Sequence, residues 1–194
     1  MNHGIPSALL FVTLLAAASA QDTPRPGPEH KKLAAYAGTW DAAVEMADPT
    51  GQVTKSKGVS ELKVGPGGLW LLEHFQADFG GTPFEGHGHN GYDPAKGKYV
   101  ATWIDAWSTS PMILEGGYDK DGKVLTMTGT APGMDGKPVL TRYVTTHQDA
   151  NTDVFEMYMP GPYGKEMKVL TITYTRAAAG AGGKGETKEK TGGK

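Results

Sequence analysis

Met112-Ile113-Leu114-Glu115-Gly116-Gly117-Tyr118, then Asp119-Lys120-Asp121-Gly122, then Lys123-Val124-Leu125-Thr126-Met127-Thr128-Gly129-Thr130, is the stretch that decides the fold. Two β-favouring runs flank a four-residue link ending in Asp-Gly, a strong hairpin signal because glycine accepts the positive φ that a tight turn needs. A link this short joins antiparallel neighbours, since a parallel crossover needs a dozen residues or more. The same pattern extends in both directions. Upstream, strands are expected at Trp40–Met46, Val53–Val64, Leu69–Phe79, Phe84–Tyr92 and Lys98–Trp107. They are separated by Asp48-Pro49-Thr50-Gly51, Gly65-Pro66-Gly67-Gly68, Gly80-Gly81-Thr82-Pro83, Asp93-Pro94-Ala95-Lys96-Gly97 and Ser108-Thr109-Ser110-Pro111. Downstream, Val139–Thr146, Asp153–Met159 and Glu166–Arg176 complete about ten strands. Hairpin-length links throughout give an all-β chain, an up-and-down barrel or a sandwich. A short N-terminal helix is expected over Glu29–Ala37, where Leu33, Tyr36 and Ala37 fall at helical spacing and Gly38 provides the stop.

The ends of the chain read differently. Residues 1–20 hold an apolar run from Ala8 to Ala18 followed by Ala18-Ser19-Ala20, the layout of a secretory signal peptide with a small-x-small cleavage site. That run is too short to span a bilayer, which takes about 20 apolar residues. A periplasmic or secreted location is therefore expected. Residues 21–28 form a proline-rich lead that can continue neither helix nor ladder. Residues 177–194 contain no large apolar side chain and are expected to be a disordered Gly/Lys/Glu tail. The folded domain is thus assigned to 29–176, with no later segment apolar enough to be an integral membrane span.

Composition removes several function classes. The net charge of −2 argues against a nucleic-acid partner, which needs clustered lysine and arginine. Absence of cysteine removes thiol catalysis and thiolate metal sites, and a domain of this size manages without disulfides. No nucleophile elbow, zincin helix or phosphate loop occurs.

Two residues at the chain's structural ends favour barrel over sandwich. Gly38-Thr39-Trp40 follows the short helix, and Arg176 closes the last strand. Lipocalins and related calycin barrels look like this, with a G-x-W tryptophan plugging one end and an arginine from the final strand stacked on it. A longer resemblance spans Glu29 to Arg176. It rests on His30-Lys31-Lys32-Leu33, Gly38-Thr39-Trp40, Gly80-Gly81-Thr82-Pro83-Phe84-Glu85-Gly86 and Gly91-Tyr92-Asp93. It continues through Tyr99-Val100-Ala101-Thr102-Trp103-Ile104-Asp105, Glu115-Gly116 and Ile172-Thr173-Tyr174-Thr175-Arg176. These segments together resemble the bacterial family catalogued as domain of unknown function 1579. The resemblance implies a lipocalin-like barrel and an exported protein, and it brings no established reaction.

Candidate site residues come from strand alternation. On Lys98–Trp107, the residues Tyr99, Trp103, Asp105 and Trp107 share one face. The family segments fall on Trp103 and Asp105, so that face is expected to line the lumen. A carboxylate among aromatic rings needs a partner, and Arg142 is the expected one. Tyr99, Trp103, Asp105 and Arg142 are therefore the expected ligand-binding set, in a cavity for a small apolar or amphipathic molecule. A barrel filled by side chains around one internal ion pair is the other outcome.

Histidines add two weaker candidates. His87 and His89 lie two apart, with Glu85 beside them, and a third ligand from His74 or Asp105 would make a zinc or copper site. The resembled family carries apolar residues there, so no metal is expected. His147, at a strand end, is a haem-ligand candidate by analogy with calycin-like barrels, although a solvated loop position explains it better, and no cofactor is expected. The leading function is an exported small-molecule binder. The alternatives are an enzyme of unknown reaction using Asp105 or Glu115 with the histidines, and a structural envelope protein with a filled barrel.

Overall fold

The computed structural model describes residues 23–48, 50–132, 137–161 and 165–178; the segment expected to be a signal and most of the expected tail lie outside the described residues. Ten strands follow one helix: α1 (Pro28–Ala34), β1 (Gly38–Ala47), β2 (Val53–Val64), β3 (Trp70–Asp78), β4 (Pro83–Asp93) and β5 (Lys98–Asp105). Then come β6 (Met112–Tyr118), β7 (Val124–Pro132), β8 (Pro138–His147), β9 (Thr152–Pro160) and β10 (Glu166–Arg176). Each strand pairs antiparallel with its sequence neighbours, and β1 pairs with β10, so the sheet closes into a ten-stranded up-and-down barrel. Closure leaves no unpaired edge. Strand limits differ from those read off the sequence by at most two residues.

Alternation sorts the residues. On β1, Trp40, Ala42 and Val44 are buried while Asp41, Ala43 and Glu45 are exposed, the period of two that a pleated strand imposes. The outer wall carries ion pairs such as Lys55–Glu45 and Lys63–Glu61, whereas the lumen is mostly apolar with a few polar groups. That is the reverse of the apolar-out, polar-in pattern of membrane-spanning barrels. No helix among the described residues is long and apolar enough to cross a membrane.

Helix α1 covers one end of the barrel. It ends three residues before the expected Ala37, because the N–H groups of Tyr36 and Ala37 turn to Leu33 O and Ala34 O and tighten the chain out of the α-helix, and the carbonyls beyond are taken by other donors. Arg176 Nη2 and Nη1 donate to Ala35 O and Ala37 O at 3.2 and 2.9 Å, and Trp40 Nε1 donates to Tyr36 O at 3.0 Å. The same guanidinium lies 4.2 Å over the Trp40 ring. Gly38 makes this possible: its φ is +139°, and a Cβ there would stand 2.7 Å from Arg176 Nη1. The Gly-Thr-Trp motif and the terminal arginine thus form one plug, as expected from their positions. Among the described residues, the opposite end, where β1 ends and β2 begins, carries no such helix.

Candidate functional site

The lumen is not filled. A cavity of about 860 Å³ runs from the α1 plug toward the opposite end. Pockets that bury small ligands span about 300–1,000 Å³. Its middle is walled by Leu71, Phe75, Leu114, Met127, Phe155 and Ile172, and its mouth by Phe79, Phe84, Trp107, Met46, Met159 and Met167. The mouth aromatics pack on one another, Phe84 against Trp107 at 4.7 Å and Phe79 against Trp107 at 5.0 Å between ring centroids. Met46, Met112, Met127, Met157, Met159 and Met167, which are all the methionines among the described residues, line this one space. Unbranched thioethers adapt to irregular shapes, so such a wall conforms to its contents.

Strand β5 supplies two expected residues. Trp103 and Asp105 both line the cavity. The Trp103 ring lies against β4 because Gly86 has no side chain; a Cβ there would meet the ring at 2.2 Å. Asp105 does not pair with Arg142. Its carboxylate accepts from the Trp103 indole Nε1 at 2.8 Å and from the Trp107 backbone N at 2.9 Å, and it is half-buried at the mouth. Two N–H donors satisfy it without a cation.

Arg142 lies outside the cavity. On β8, Thr141 and Tyr143 take the buried positions, which turns Arg142 outward. There it binds Glu166 through both Nε and Nη2, with Nη2 to Oε2 at 2.7 Å, and stacks 4.0 Å from the Tyr158 ring. Tyr99 faces inward but packs beneath α1 between Tyr92 and Tyr118, with ring centroids at 5.2 and 5.0 Å, so it supports the floor and does not line the cavity. Glu115 is also external. Lys98 and Lys96 hold it at 2.5 and 2.9 Å and pull its carboxyl down to about 2, which leaves it no part in lumen chemistry.

Alternation on β3 identifies a polar residue that the sequence reading passed over. Leu71, Glu73 and Phe75 share the inward face, so Glu73 places a buried carboxyl in the cavity wall. Ser60 donates to it at 2.7 Å. Burial pushes the Glu73 carboxyl above the ordinary glutamate range, and the Ser60 hydrogen bond only partly opposes that. Tyr174, also in the wall, is pushed well above its usual value by burial and then by Glu73. A carboxyl whose folded pKa is raised favours folding while it is protonated, and that contribution is lost as pH rises through the folded pKa. Glu73→Gln is therefore expected to gain stability relative to the parent at pH 7.5 compared with pH 4. Urea unfolding of both proteins at the two pH values checks this, and parallel profiles would contradict it.

A second polar group forms the floor. His147, expected as a solvated loop residue or a haem ligand, is instead largely enclosed, with both ring nitrogens engaged. Nε2 meets the Tyr118 hydroxyl at 2.9 Å, Nδ1 meets Asp153 Oδ1 at 2.7 Å, and the ring stacks 4.5 Å from Tyr36. Both nitrogens are thus held by partners within the barrel. Burial raises the Tyr118 phenol far above its usual range, so it stays protonated.

The outer-wall histidines pair differently from the expectation. Gly86 and Gly88 take the inward positions of β4, so His87 and His89 point outward. Yet His89 turns to Thr102 Oγ1 at 3.1 Å, and it is His74 of β3 that meets His87 and Glu85. Asp105, facing the lumen, is not near them.

The comparisons with known proteins fit this architecture. No curated protein matches the chain. Among solved structures, the crystal structure of Rv2717c from M. tuberculosis superposes with a TM-score of 0.62 at 15% identity, covering 78% of this chain and 99% of that one. At that identity the likeness is one of fold. The profile of the family described as "Protein of unknown function (DUF1579)" matches residues 25–176, the barrel with its helix, and the chain belongs to that family.

Proposed function

We propose that the barrel is a binding module for a small, predominantly apolar molecule held in the lumen. The observation that carries this reading is the cavity of about 860 Å³ with an aromatic and methionine wall. Excluding water from such a wall stabilises an apolar guest by about 25 cal/mol per Å² buried. Trp103 supplies a flat contact surface below the mouth. Asp105, already bonded to two donors, can accept from a polar group at the entrance. Glu73 and Ser60 place one hydrogen-bonding point deep in the wall, so a guest with a single hydroxyl, carbonyl or amine on an apolar body matches the distribution of groups. Residues 1–20 support an exported location for this binder.

The test is titration with the uncharged fluorophore N-phenyl-1-naphthylamine. Saturable binding near one probe per chain, with quenching of tryptophan emission, is expected. Ala101 is buried in the cavity wall. Ala101→Trp should fill the space and lower probe affinity by at least about tenfold, the equivalent of about 1.4 kcal/mol. Trp103→Ala should also change the affinity, while Arg142→Ala, on the outer wall, should not. Non-saturable binding, or equal affinity in a folded Ala101→Trp variant, would rule out the lumen as the site.

A further inference from the structure

We propose that His74, His87 and Glu85 form an open site on the outer barrel wall for a divalent transition-metal ion of the zinc class. Antiparallel pairing sets His74 of β3 directly opposite His87 of β4. The two imidazoles lie stacked, with centroids 4.7 Å apart and planes within 2°. Both Nε2 atoms converge on one oxygen, Glu85 Oε1, at 3.0 Å each. The ligand atoms of all three residues lie within 4.8 Å of one another.

This arrangement differs from a chance surface contact in two ways. The β3–β4 register holds the two rings face to face, so their nitrogens stay side by side on one face of the wall. Each ring also presents the same nitrogen to the same point, which is the disposition a single ion requires. Zinc–nitrogen bonds of about 2.0–2.1 Å need the donors drawn slightly closer than they stand. The three side chains are 36%, 45% and 53% exposed, so rotation about their own bonds can do this without moving the ladder. With the ring proton carried on Nδ1, each Nε2 offers its lone pair, and the two lone pairs and the carboxylate bind the ion. Two imidazoles and one carboxylate suit zinc, copper or nickel better than magnesium or calcium. Three protein ligands leave at least one position to water or to an added ligand.

The site lies on the opposite face of the wall from the lumen and is independent of the binding proposal. Its test is calorimetric titration of the tag-free, chelator-treated full chain with zinc chloride, beside magnesium chloride. One zinc per chain is expected, with no magnesium binding. His74→Ala and His87→Ala should each weaken zinc by at least about tenfold, since losing even an outer partner of a metal ligand costs about 10–100-fold. Glu85→Gln should weaken it less, and His89→Ala should leave it unchanged. Cobalt(II) on the unmodified chain should give visible absorption bands of an imidazole-bound, low-coordinate ion. No saturable zinc binding, equal magnesium binding, or undiminished zinc affinity in folded His74→Ala and His87→Ala proteins would overturn the proposal.

Discussion

Trp40→Ala is expected to destabilise the protein by about 3–5 kcal/mol, the range for emptying a buried aromatic site. Trp40 is 2% exposed and holds three things at once: the α1 turn through Nε1 to Tyr36 O, the Arg176 guanidinium on its face, and the first contact between β1 and β10. A barrel closes only if its first and last strands meet, so the loss falls on the seam as well as on the core. For a domain of this size each kcal/mol shifts the melting temperature by about 2–4 °C, so a fall of roughly 6–20 °C is expected. Arg176→Ala alone should cost about 1–2 kcal/mol through lost stacking and packing. Thermal and urea unfolding of the two single variants and the double would show whether their effects are coupled. Strict additivity, or a loss below about 1 kcal/mol for Trp40→Ala, would contradict the plug.

Asp153→Ala is expected to cost about 1–3 kcal/mol, because it leaves a largely enclosed imidazole nitrogen without its hydrogen-bond partner. His147 and Asp153 are cross-strand neighbours on β8 and β9, and their side chains are 12% and 10% exposed. His147 in turn orients Tyr118 and supports Tyr36, so the change loosens the whole floor of the cavity. Asp153→Asn keeps an acceptor oxygen for Nδ1 and should cost clearly less. Urea unfolding of both variants separates the cases. Equal effects would mean that the negative charge of Asp153, and neither its shape nor an acceptor oxygen, is what it contributes. The probe titration should register the same change, since Tyr36 and His147 border the cavity.

The strands, their antiparallel order and the helix that precedes them are legible in the sequence, because each depends on neighbours a few residues away. Asp-Gly and Gly-Pro punctuation marks the turns, and the period of two assigns each residue to one of two faces. That reasoning puts Trp103 and Asp105 together and puts His87 beside Glu85. It also covers Gly38, Trp40 and Arg176, whose residue types match a recurring barrel plug.

Alternation alone does not say which residue stands opposite which, and there the tertiary structure decides. Register sets His74, thirteen residues before His87, directly across from it, while His89, two residues away, turns to Thr102. Register likewise gives His147 to Asp153. Arg142, matched to Asp105 because both looked mid-strand and oppositely charged, points to the other side of the wall and finds Glu166. Asp105 never needed it, because the indole N–H two residues earlier and a turn N–H two residues later reach it first. Glu73 sits at an inward position whose depth only the closed barrel reveals. Whether the lumen is filled or open depends on the summed volume of side chains from ten strands, a quantity fixed by how the sheet closes and by no single stretch of the chain.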